Sequence, residues 1–129
     1  MTEGNKPIAV QSAAEDYMVE AEAVRIGDDV LVRIWGGEKP HIGAVAAAQP
    51  RPSLADATRT SATASVLAFP GHKEDGVARE AADRLAAALD TTVVVTAGIH
   101  WDDLGADGIK AVQTHCSEIV ALLIERLRR

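Results

Sequence analysis

Three of the four histidines lie in short glycine-bearing segments: WGGEKPHIG from Trp35 to Gly43, FPGHKEDG from Phe69 to Gly76, and VTAGIHWDD from Val95 to Asp103. Glycine lets backbone amides come close to a ligand, and imidazole donates, accepts or ligates near neutral pH. Separated by ordinary core-like sequence, the three segments read as one composite site built on His41, His72 and His100.

Each segment suggests a different chemistry. In FPGHKEDG a strand meets a helix through Gly71, with His72 and Lys73 just before the first turn. Free amides and the positive dipole end of that helix suit a phosphate or carboxylate, and Lys73 adds charge. A plain helix start with exposed polar residues explains the same letters. Gly36-Gly37 and Pro40 are ordinary turn residues, but a turn has no need of the imidazole of His41. His100 follows a buried strand, with Asp102 and Asp103 near enough to orient it. Trp35 and Trp101 stand beside these segments as structural plugs or as stacking surfaces. His115, on a helix beside Cys116, reads as solvated or as an interface residue.

Catalytic patterns are sparse. A metal could use His41, His72 and His100 with Asp102, yet no HxH or HExxH pair is present. There is no GxSxG elbow, and Cys116 falls mid-helix on an apolar stripe, where a thiol is inert. A site for an anionic, partly apolar small molecule accounts for more of these residues than an active site does.

The elements that must position them follow from periodicity. Residues 1–17 lack hydrophobic period and read as a loosely held arm, leaving one domain over 18–129. Residues 19–26 and 30–35 alternate around Gly27-Asp28-Asp29 as a β-hairpin. Residues 42–48 form a third strand closed by Pro50 and Pro52, and 62–69 a fourth. Ala78, Ala81, Ala82, Leu85 and Leu89 then recur at helical spacing from about Asp75, which can cap the start. Residues 91–97 are β-branched and apolar on both alternations, which predicts a central strand covered on both faces. Ile109, Val112, Cys116, Ile119, Val120, Leu123 and Leu127 form the stripe of a second helix, capped by Gly105 or Asp107. The order ββββαβα predicts an α+β fold with a largely antiparallel sheet and two main helices.

Composition narrows the partners. The chain has 129 residues and a formal net charge of −6, so it carries no electrostatic footprint for nucleic acid. One cysteine excludes a disulfide framework and favours a reducing, cytoplasmic setting. No apolar run approaches the roughly 20 residues that span a bilayer. Aromatic residues number only four, so Val, Ile, Leu and Ala must pack the core.

The ordered segments GGxxPHIGxV, FPGHK before a helix, and VTAGIHxDxL before a long amphipathic helix resemble the small LpdD-like prenylated-flavin chaperones, encoded with UbiD-type aromatic acid decarboxylases such as gallate decarboxylase. The resemblance covers residue 19 to the C-terminus. It implies a homodimer, a fold similar to proteasome assembly chaperones, and carriage of reduced prenylated flavin mononucleotide to an apo-decarboxylase, without enzymatic activity of its own. It places Gly36, Gly37, Pro40, His41, Ile42 and Gly43 in a first signature, His72 and Lys73 in a second, and Gly98, Ile99 and His100 in a third. On this reading Trp35 or Trp101 stacks on the flavin ring, His41 and His100 bond its ring or ribityl oxygens, and Gly71, His72 and Lys73 take the phosphate. The alternatives are an accessory subunit acting by contact alone, or a small metal-dependent enzyme using His41, His72 and His100.

Overall fold

In the computed structural model, residues 6–69 and 74–129 are described. The elements are β1 (Ile8–Gln11), β2 (Val19–Ile26), β3 (Asp29–Gly37), β4 (Ala44–Pro52), β5 (Thr60–Ala68), α1 (Asp75–Leu89), β6 (Val93–His100) and α2 (Ala106–Leu127). They build one six-stranded sheet in the order β1-β2-β3-β6-β4-β5.

The sheet is mixed rather than antiparallel throughout. β6 enters between β3 and β4, antiparallel to β4 but parallel to β3, from Val30 opposite Val93 to Gly37 opposite His100. The run from β3 back to β6 includes a helix, and such a crossover returns a strand in parallel orientation.

Alternation along each strand decides which face is covered. Val19, Ala21, Ala23, Val30, Val32, Ile34, Ala44, Ala46, Ala48, Val93, Val95 and Ala97 are buried, and both helices pack on that side. Burying Ile34, Leu85, Ile119 and Leu123 completely contributes about 1.5–3 kcal/mol each. Alanine dominates where α1 meets the sheet: Ala78, Ala81, Ala82 and Ala86 sit against elements that include β4, whose own inward residues are alanines. Small side chains on both partners permit the close approach that an aromatic-poor core requires.

The opposite sheet face has no covering element among the described residues. Leu31 and Leu67 are exposed there, at 38% and 64% of their surface, with half-buried Val45 and Val94 between them. β6 is therefore central in the sheet, but its second face is not covered as its composition suggested.

Three further differences from the sequence reading have local causes. The N-terminal arm contains β1, which adds to β2 with Ile8 opposite Ala23. Ser12 closes that connection: its amide bonds the Val19 carbonyl at 2.9 Å, and its Oγ accepts the Val19 amide at 2.9 Å. β4 runs through Pro50 and Pro52, because its pairing with β6 ends at Ala48 while pairing with β5 continues to Pro52. The missing proline N–H groups are tolerated where one side of the strand is unpaired. Ile109, expected in the α2 stripe, is 47% exposed, and Gly108 takes the buried position one residue earlier.

Candidate functional site

Parallel pairing puts the C-terminal ends of β3 and β6 at the same rim of the sheet. Gly36 and Gly37 of the first histidine segment thereby lie opposite Ile99 and His100 of the third. Residues 38–43 then fold back over the end of β6. The Glu38 amide bonds the His100 carbonyl at 2.8 Å, and the Gly43 amide bonds the Ala97 carbonyl at 2.9 Å. The Gly43 carbonyl accepts the Phe69 amide at 2.9 Å, which ties in the start of the second segment.

The glycines here are steric necessities. A Cβ on Gly98 would collide with the His41 carbonyl, and one on Gly37, whose φ is +89°, would collide with that of His100. Only glycine allows the two backbones this approach.

His41 and His100 share the rim but make separate pairs. His41 Nδ1 lies 2.8 Å from the Lys39 carbonyl oxygen, and its Nε2 lies 2.9 Å from Glu74 Oε1. Glu74 Oε1 also accepts the Ile99 amide at 3.3 Å, so one carboxylate binds the rim loop and β6 to the start of α1. Glu74 is 8% exposed, and its Oε2 is buried with no hydrogen-bond partner among the described residues. His100 Nε2 lies 2.8 Å from Asp102 Oδ1, as expected for an orienting acid. Lys39 Nζ stands 3.6 Å from the same oxygen, and Glu38 Oε2 accepts the Asp102 amide at 3.5 Å. The His100 bond, then Lys39, then Glu38 hold the Asp102 carboxyl below its ordinary value.

Beside this cluster runs a groove of about 400 Å³ whose lining includes Trp35, Gly36, Gly37, Glu38 and Trp101. Both tryptophans are thus brought to one place, each already holding one contact. Trp101 meets Tyr17 edge-on at 5.4 Å and 79°, and the Arg33 guanidinium lies 4.8 Å over Trp35. Glu15, Glu20 and Glu38 line the groove and, among the described residues, no cationic side chain does, so its chemistry suits an uncharged ring with hydrogen-bond donors rather than a phosphate.

Gly71, His72 and Lys73 lie outside the described residues. The helix they precede has Glu74 at its N-cap, without a side-chain cap bond, and Asp75 within its first turn. His115 stands apart on α2, with Nδ1 2.7 Å from the Tyr17 carbonyl oxygen. Burial pushes the Cys116 thiol up to about 12, with Glu80 adding to the rise, in keeping with an inert core thiol.

The residue missed by sequence reasoning is Glu74. An acid beside a helix start ordinarily faces water, and no local pattern marks this one as buried. Gly43 was a usable signal: a glycine two residues after His41, outside any positive-φ turn, is required by what packs against it. A Cβ there would overlap the Glu74 carboxylate and stand 3.0 Å from His41 Nε2.

Two helices on one face of a six-stranded mixed sheet make this an α+β fold similar to that of a proteasome assembly chaperone. The chain is similar to one in the crystal structure of a novel chaperone complex for yeast 20S proteasome assembly, with a TM-score of 0.60 and 12% identity over 96% of this chain and 98% of that one. At that identity the likeness is one of fold. The chain belongs to the prenylated flavin chaperone LpdD-like family, whose domain matches residues 13–128. No curated protein matches its sequence. No helix among the described residues is long and apolar enough to cross a membrane.

Proposed function

We propose that this protein binds reduced prenylated flavin mononucleotide and delivers it to an apo UbiD-type aromatic acid decarboxylase, acting as a cytoplasmic carrier and not as an enzyme. Membership of a prenylated flavin chaperone family supports the ligand class. The observation that carries the site assignment is the meeting of Trp35, Gly36, Gly37 and Trp101 in one groove beside His100. In this reading the ring enters that groove against the open indole surfaces, each aromatic contact contributing about 0.5–1.5 kcal/mol beyond burial. The carboxylates of the groove disfavour the phosphate there, and this reading assigns it by sequence to Gly71, His72 and Lys73. His100 reaches the ring or ribityl oxygens, while His41 supports the rim from beneath through its two existing contacts. Two copies pair as a homodimer through the apolar uncovered sheet face.

Anaerobic titration tests this reading by following quenching of Trp35 and Trp101 fluorescence. Reduced prenylated flavin mononucleotide should saturate the signal at micromolar protein, and apo-decarboxylase added afterwards should gain activity. Absence of binding, with decarboxylase still stimulated, would leave an accessory subunit that acts by contact alone.

A further inference from the structure

We propose that His41 and Glu74 form a binding site for a divalent transition-metal cation, of the zinc or manganese type, at the junction of the rim loop with α1. The assignment is independent of the flavin reading. A carbonyl oxygen only accepts, so the Lys39 carbonyl at 2.8 Å places the hydrogen of a neutral His41 ring on Nδ1 and leaves the Nε2 lone pair toward Glu74. That lone pair faces a carboxylate oxygen 2.9 Å away, and two acceptors at this distance require positive charge between them. An imidazole anchored through Nδ1–H to a backbone carbonyl, with Nε2 directed at a second ligand, is the outer-shell arrangement that orients metal-binding histidines.

Two further observations point to an occupant. Glu74 is 8% exposed, and its Oε2 is buried without a hydrogen-bond partner among the described residues, leaving a carboxylate oxygen with unmet acceptor capacity there. A side chain so placed is destabilising unless paired or coordinated to a metal. Beside it, Gly43 keeps side-chain atoms away from the pair: a Cβ there would overlap the Glu74 carboxylate and stand 3.0 Å from His41 Nε2. One imidazole nitrogen with one carboxylate suits zinc or manganese better than calcium or magnesium. No group of three or more His, Cys, Asp or Glu able to hold a metal occurs among the described residues, so water or the oxygen of an anionic ligand would complete the coordination.

The test is equilibrium dialysis of the full chain, freed of metal with a chelator, against Zn²⁺ or Mn²⁺ alone. Bound metal is read by elemental analysis, and the manganese environment by electron paramagnetic resonance. The native chain should take up close to one ion per chain. Glu74→Gln keeps the shape, but an amide N–H turned to His41 gives up the Ile99 amide that Glu74 Oε1 accepts, so its melting temperature in chelator should fall slightly while the folded state, checked by circular dichroism, survives. Its metal affinity should fall by at least about tenfold, the lower end of what loss of an outer-shell partner alone costs. His41→Gln should show the same loss, whereas Asp102→Asn and Cys116→Ser should retain full binding. A native chain that takes up no stoichiometric metal, a proton alone then bridging the pair, would overturn the assignment. So would undiminished binding in both Glu74→Gln and His41→Gln.

Discussion

Replacing Gly43 by alanine adds one methyl group at a position of ordinary backbone conformation, so its cost is purely that of contact. The new Cβ would overlap Glu74 Oε2, lie 2.8 Å from Glu74 Cδ and stand 3.0 Å from His41 Nε2. None of these atoms ends a long flexible chain in solvent; the carboxylate is buried and also holds the Ile99 amide. Either the carboxylate swings away from His41 and Ile99 or the start of β4 shifts. Overpacking of this kind costs about 1–3 kcal/mol. For a domain of this length, a loss of about 2 kcal/mol lowers the melting temperature by roughly 7 °C. Calorimetry of four proteins isolates the cause: the native chain, Gly43→Ala, Glu74→Ala and the double variant. Without the Glu74 side chain the worst overlap is gone and His41 Nε2, 3.0 Å from the methyl, is released to give way, so Gly43→Ala should then cost well under about 1 kcal/mol, a coupling of about 1–2 kcal/mol. An equal drop in both backgrounds would refute the steric linkage and place the strain in the loop itself.

Three other outcomes are expected. Because burial pushes Cys116 up to about 12, a disulfide reagent at pH 8 should leave the folded protein unlabelled and react fully in guanidinium; prompt labelling of the native chain would contradict the packing of α2. The carboxyl of Asp102 is held below its ordinary value, so its support of the rim is complete above the usual carboxylate range and is lost as pH falls through the lowered folded value. In a Trp35→Phe background, Trp101 fluorescence should report that acid transition, and Asp102→Asn should abolish it; an identical transition in both would assign it to another group. Leu67→Glu, at a site 64% exposed, should leave the melting temperature nearly unchanged but convert a sheet-to-sheet dimer into monomers by light scattering; an unaltered dimer mass would move the interface elsewhere.

Elements whose instructions are local were legible without coordinates. The 3.6-residue recurrence from Ala78 to Leu89 matches α1 at Asp75–Leu89, and Gly105 does cap α2 at Ala106–Leu127. The hairpin at Gly27-Asp28 also follows from its own residues, Gly27 taking a φ of +62° and Ile26 pairing with Asp29. The short β1 was not legible, because four residues hold no recognisable period and its partner is a strand eleven residues further on.

Residue chemistry alone thus determined the two helices, the hairpin, the inert thiol and the grouping of histidines with glycines, since each depends on neighbours within a turn or two. Tertiary structure alone decided that β6 slots in parallel beside β3, which sets Gly37 against His100, and that residues 38–43 bring His41 onto Glu74. The reason is that strand order and the burial of a single acid are set by contacts between distant parts of the chain, made by backbone groups that every residue shares and by packing that no local period encodes.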